Sequence, residues 1–234
     1  MSSKKILAGA TLCLAVAATA AVAGVSGQAT LSGTTPAETT IKMNADPKCI
    51  ALYDEPVTTS FYSVDDDGGL ANVFVYIKNP PEGDHPVPSS PVVLRQKGCL
   101  YAPFVSGVRV DQTLRIENND DNLHNVRAIA RENRPFNIGQ PAQTPPRDKT
   151  FKLPENAIRF KCDVHPWMEA WVFAMDHPFF AITATDGSFE IDGLPAGDYI
   201  LVAWHSKLGE QEQTISVGTD GSASADFTFE GGAE

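Results

Sequence analysis

The chain has 234 residues, with 18 Lys and Arg against 29 Asp and Glu and a formal net charge of −11 at pH 7. That acidity argues against nucleic acid or an anionic membrane as partner, and it suits a basic protein partner.

The first 23 residues read as an export signal. Lys4 and Lys5 precede an Ala-rich apolar run, and Ala21-Val-Ala23 supplies an A-x-A cleavage site. An uncleaved anchor is the alternative, since the run can be stretched to about the span length. Cys13 has no small residue directly before it, which argues against a lipoprotein signal. Cleavage removes two lysines, leaves 16 basic against 29 acidic side chains and a net charge of −13, and places the protein in the periplasm or outside the cell. No stable membrane insertion is expected after that cut.

Residues 24–46, rich in Gly, Ala, Ser and Thr, read as a flexible leader. From Cys49 onward the chain reads as short strands punctuated by Pro, Gly, Asn and Asp. Residues 47–91 hold strands expected at 58–64 and 71–78, then an irregular loop at 79–91 with five prolines. Further strands are expected at 92–96, 113–117, 125–130, 150–153, 157–162 and 170–175. Residues 131–147 form a long Pro-containing connection, read as a crossover. The last strands are expected at 180–184, 188–191, 197–204, 213–217 and 225–229. The fold class is all-β, of sandwich type.

The chemistry concentrates in Phe160-Lys-Cys162-Asp-Val-His165-Pro-Trp-Met168. Thiolate and thioether suit Cu(I), imidazole suits both oxidation states, and two His, one Cys and a weak axial Met describe a blue-copper site. His124 is the natural source of the second imidazole. The alternative is a buried structural Cys beside unrelated His and Met. Along 157–162, Ile158, Phe160 and Cys162 share one face while Arg159 and Lys161 face water, so Cys162 closes a strand from the core side. Pro166 stiffens the turn that follows. If Cys162 holds a metal, Cys49 and Cys99 are left to pair as a disulfide, tying the N-terminal segment to the body.

Other candidates are weaker. His177 and His205 are isolated and read as hydrogen-bonded structural histidines, and His85 as solvated. Trp167 and Trp171 are candidates for an electron path or docking patch, with plain aromatic packing as the alternative. Asp163 and Glu169 flank the motif without the spacing of an acid–base pair.

These residues resemble the cupredoxins, the single-copper blue proteins of the amicyanin and plastocyanin type, over residues 92–176. The resemblance includes Leu100-Tyr-Ala-Pro-Phe104, Val110-Asp-Gln-Thr-Leu-Arg-Ile-Glu-Asn118 and Leu123-His124-Asn125-Val126. It implies a Greek-key sandwich with one copper ion cycling between Cu(I) and Cu(II). Its ligands would be His124, Cys162, His165 and Met168, with Asn125 tying the two ligand loops together and bonding toward the sulfur. Asp111 stands where the family usually has Gly. The implied function is one-electron transfer without catalysis, His165 serving as the electron port at an exposed edge. The partner would be a redox protein such as a cytochrome or a dehydrogenase. Copper delivery or sensing, and a metal-free envelope or carbohydrate-binding module, are the alternatives.

A second resemblance covers residues 177–234. Thr185-Asp-Gly-Ser-Phe189 and Gly193-Leu-Pro-Ala-Gly-Asp-Tyr199 are similar to the carboxypeptidase regulatory-like, transthyretin-type sandwich, a structural module. The segment lacks opening strands, and Asp66-Asp-Gly-Gly-Leu-Ala-Asn-Val73 resembles that module's first hairpin. The copper domain is therefore expected to be inserted into the second sandwich, with residues 71–78 pairing to strands beyond 180.

Overall fold

The computed structural model describes residues 24–44, 46–219 and 221–232; the export signal read at 1–23 lies outside them. In chain order the elements are β1 (Gly24–Ser32), α1 (Pro47–Ile50), β2 (Phe74–Ile77), β3 (Val92–Lys97), β4 (Leu100–Ala102) and β5 (Val105–Arg109). Next come β6 (Leu114–Asn118), β7 (His124–Ile129), β8 (Phe136–Gln140), β9 (Arg147–Lys149), β10 (Glu155–Lys161) and β11 (Glu169–Met175). The chain ends with β12 (Phe180–Ile182), β13 (Ser188–Asp192), β14 (Gly197–His205), β15 (Gly209–Val217), β16 (Ser222–Ser224) and β17 (Phe227–Glu230). The fold is all-β, and no helix among the described residues is long and apolar enough to cross a membrane.

Two sandwiches share a buried seam. One is formed by the sheets β5-β11-β10-β7-β8 and β4-β3-β6-β9, the other by β12-β2-β14-β15 and a sheet centred on β1. Period-two alternation sorts the apolar side chains. On β11, Ala170, Val172 and Ala174 fill the core of the first sandwich, while Phe173 and Met175 point into the seam. Val75 and Ile77 of β2, with Val73 just before it, fill the core of the second, while Phe74 and Tyr76 meet the seam. The rings of Phe74 and Phe173 stack there, 3.8 Å apart and nearly parallel. Strands buried on both faces have no polar side, which explains the continuous apolar runs at 73–77 and 170–175.

Strand β2 hydrogen-bonds to both β12 and β14, with Phe74 opposite Ile182 and Trp204. The chain thus leaves one sandwich after β2, builds β3 to β11 as the other, and returns at β12.

Several expectations are corrected. Residues 24–32 are no flexible leader. Strand β1 pairs with β13, β16 and β17 and buries Val25, Ala29 and Leu31. Its small residues are a packing requirement, because a Cβ on Gly27 would lie 1.7 Å from the Ala225 carbonyl oxygen. Residues 58–64 form only isolated bridges at Thr58 and Val64. The connection at 131–147 contains β8, paired to β7. The strand expected at 150–153 lies earlier, as β9, while Phe151 turns its ring inward. Asp111 has φ 68°, the left-handed conformation that Gly adopts freely and Asp tolerates.

Candidate metal centre

Three expected ligands converge at one end of the first sandwich. His124 opens β7 and Cys162 follows β10; the antiparallel register, Lys161 opposite Arg127, brings the two strand ends side by side. The β10–β11 connection then turns tightly. The Met168 amide donates to the His165 carbonyl at 2.9 Å, and the Cys162 amide to the Met168 carbonyl at 3.4 Å. This closure returns His165 over the sulfur and seats Met168, fully buried, in the same apolar cluster as Cys162.

Ligand atoms of His124, Cys162 and His165 lie within 4.8 Å of one another, all three side chains buried. The two imidazoles face each other through Nδ1 at 2.8 Å, and His165 Nδ1 is 3.9 Å from Cys162 Sγ. Each Nε2 is engaged elsewhere, His124 with Asp120 Oδ2 at 2.9 Å and His165 with Asp46 Oδ2 at 3.0 Å. An Nε2–H donated to a carboxylate leaves Nδ1 as a bare lone pair in the neutral ring. Two such lone pairs at 2.8 Å repel unless a proton or a metal ion lies between them.

The electrostatics agree. Burial alone would push the His124 imidazole down, but hydrogen bonds with Asp120 and Cys162 outweigh it and raise it to about 9. The 2.8 Å contact between the two Nδ1 atoms is a hydrogen bond only when one of them carries a proton. Burial pushes the Cys162 thiol up. The hydrogen bond with His124 and the main-chain amides of Asn125, His165 and Val164 bring it below the ordinary value. The amides of Asn125 and His165 stand 3.5 and 3.3 Å from the sulfur. A nitrogen–nitrogen–sulfur set whose thiol is drawn toward thiolate suits copper, and two facing Nδ1 atoms mark where a cation is accommodated.

Supporting residues hold this arrangement. The Asn125 side-chain oxygen Oδ1 accepts the amides of Asp163 at 2.6 Å and Val164 at 3.2 Å, so the loop after Cys162 hangs on the residue after His124. The buried Tyr101 hydroxyl donates to the carbonyls of Asn125 at 2.7 Å and Lys161 at 3.1 Å, stitching the two ligand strands. Asp120 takes the amides of Gly98 and Cys99 as well as His124. Burial would raise its carboxyl, but these bonds hold it below the ordinary range.

One expectation about the site is overturned. His165 does not form an exposed edge; its exposure is 0%. A strap, residues 46–57, lies over it. Cys49 in α1 forms a disulfide with Cys99, and its Sγ is 3.6 Å from His165 Nε2. Sequence reasoning missed Asp46 and Asp120. Asp120, one turn before His124 in an Asn- and Asp-rich loop, was open to notice; nothing local marks Asp46.

The remaining histidines are structural. His177 Nδ1 accepts the Phe179 amide, and His205 Nε2 donates to the Phe61 carbonyl. His85 is half-buried, edge-on to the Phe179 ring, where solvation had been expected. Trp171 packs against Trp204 in the seam, whereas the Trp167 ring lies 5.1 Å from that of His165. Glu169 pairs with Arg159 and Asp163 with Arg127, both at the surface end of the loop.

No protein-family model and no curated protein matches the chain. Among solved structures, it is similar to a Cu-containing nitrite reductase from Thermus scotoductus SA-01, at 20% identity and TM-score 0.34, covering 41% of this chain. It spans only 25% of that reductase. It is also similar to a purple cupredoxin from Nitrosopumilus maritimus, at 19% identity and TM-score 0.30, covering 35% of this chain and 97% of that one. A mutant amicyanin in its Cu(I) form matches at 19% identity and TM-score 0.32, covering 43% and 97%.

Proposed function

We propose that this chain is an exported single-copper protein of the cupredoxin type that transfers one electron at a time to or from a redox protein. The reading rests chiefly on one observation. Two imidazoles, each with its Nε2 tied to a carboxylate, turn their Nδ1 atoms toward one another beside a buried thiol. His124, Cys162 and His165 would hold the ion and Met168 would supply a weak fourth donor. When bound, copper would supply reversible exchange between Cu(I) and Cu(II).

The protein's own residues do the rest. The amides of Asn125 and His165 stabilise charge on the Cys162 sulfur. Burial of all three donors excludes water and competing ligands, and the Tyr101 and Asn125 bonds hold the loops rigid, which limits rearrangement as charge changes. With His165 covered, Trp167 takes the place of the exposed imidazole as the group leading outward. Leu123 and Val164, exposed at 51% and 42%, each directly precede a ligand histidine and form the docking face. The second sandwich, of transthyretin type, is a scaffold. Donors buried this deeply suit a resident ion better than delivery of copper to another protein.

The test is addition of Cu(II) to the purified full chain, read by visible absorption and EPR. One equivalent bound with an intense thiolate-to-copper band, absent in Cys162→Ser, is the expected result. A colourless protein that binds no copper would leave a metal-free envelope module.

A further inference from the structure

We propose that Asp46, carried on the strap and remote from the motif, is a positioning residue: it holds His165 in the tautomer that turns Nδ1 toward Cys162. This rests on the copper reading only for its consequence, since the hydrogen bond is a property of the protein alone.

Both carboxylate oxygens of Asp46 are committed. Oδ2 takes His165 Nε2 at 3.0 Å, while Oδ1 accepts the Lys48 amide at 2.9 Å. The hydrogen bond from His165 is the main influence holding this carboxyl below its ordinary value. The strap that carries it is fastened at three points. The Cys49–Cys99 disulfide joins it to the turn between β3 and β4, Lys48 Nζ reaches the Asp121 carbonyl at 3.2 Å, and Met43 is buried beneath it. On another side stands Trp167, whose own Nε1 donates to the Cys99 carbonyl at 3.0 Å.

The ring is thus held between the strap, the disulfide sulfur and an indole, with both nitrogens engaged. Rotating it by half a turn would place Nδ1 against the carboxylate and remove the lone pair facing the sulfur. Swinging it outward requires the strap to lift. Asp120 serves His124 from four residues away, within one loop. Asp46 serves His165 across 119 positions of sequence, so its effect depends on tertiary docking of the strap. A fixed negative charge behind a ligand imidazole also raises its basicity, which favours the more highly charged state of a bound metal.

The experiment compares the full chain with Asp46→Asn and Asp46→Ala. In the metal-free proteins, nitrogen-15 NMR of the imidazoles reports the tautomer. His165 should be the Nε2–H form with a slowly exchanging proton in the parent chain and in Asp46→Asn, whose side-chain oxygen still accepts. Asp46→Ala should populate the other tautomer. Cu(II) affinity measured by chelator competition should fall about 10- to 100-fold in Asp46→Ala. Asp46→Asn, having kept the bond and lost the charge, should show a higher reduction potential than the parent with a smaller loss of affinity. An unchanged His165 tautomer and exchange rate in Asp46→Ala would overturn the proposal. If the tautomer shifts but the parent chain binds no copper, the positioning role stands and the copper reading falls.

Discussion

The most quantitative expectation concerns His205, which is remote from the ligand set. Its side chain is 1% exposed, Nε2 donates to the Phe61 carbonyl at 2.9 Å, and Nδ1 accepts the amides of Lys207 at 3.3 Å and Leu208 at 3.2 Å. Protonating Nδ1 would break both amide contacts and leave a charge without water. Burial accordingly pushes this imidazole down to about 4, from the ordinary value of 6.5. A folded-state value below the unfolded one means that the stabilisation is complete above 6.5 and is lost as pH falls from there toward 4. Linkage between those two values gives a loss of about 2 kcal/mol from this one group between pH 7.5 and pH 5. His177, pushed down to about 4 mainly by burial, adds a loss of the same sign. The assay is urea denaturation of metal-free protein at the two pH values, comparing the parent with His205→Asn. Asn can accept the two amides but cannot titrate, so its stability should fall by about 2 kcal/mol less over the same interval. Equal falls in the two proteins would refute the reasoning, because cancelling all other groups leaves only this imidazole.

Three further outcomes follow from the packing. Phe173→Ala removes a fully buried ring from the seam and should cost about 3 to 5 kcal/mol in thermal or urea unfolding; a loss under about 1 kcal/mol would mean that the seam is not a packed interface. Gly27→Ala drives a methyl group into the Ala225 carbonyl, and should destabilise by at least about 1 to 3 kcal/mol with loss of hydrogen-exchange protection along β1. Replacing Cys49 and Cys99 together by Ser opens a loop of sequence separation 50. Loop entropy predicts a loss of about 4 kcal/mol in equilibrium unfolding, and an unchanged midpoint would show that the cross-link does not restrain the unfolded chain.

Much of the site could be read one segment at a time. The alternation along 157–162 placed Cys162 on the inward face, where it lies, and the short spacing to His165 and Met168 kept that group in one turn. Asn125 came only from the resemblance to the cupredoxins, not from any local pattern. The seam escaped because an apolar run such as 73–77 looks the same whether its second face meets a partner sheet or a helix. Strand β1 escaped because its inward set, Val25, Gly27, Ala29 and Leu31, includes small residues that are apolar only weakly. Close backbone approach demands that smallness, and the same composition is what makes a segment look unstructured.

The sequence by itself determined features whose cause is local: many of the strands, the tight turn from Cys162 to Met168 and the chemistry of the candidate donor atoms. Tertiary structure alone decided how the imidazoles of His124 and His165 are covered and oriented. Whether His165 faces water or a carboxylate depends on a strap cross-linked to a distant turn, and side-chain alternation carries no record of what docks on a strand's far end. The candidate donors are written in the chain; the surroundings that would tune them are built only when remote segments meet.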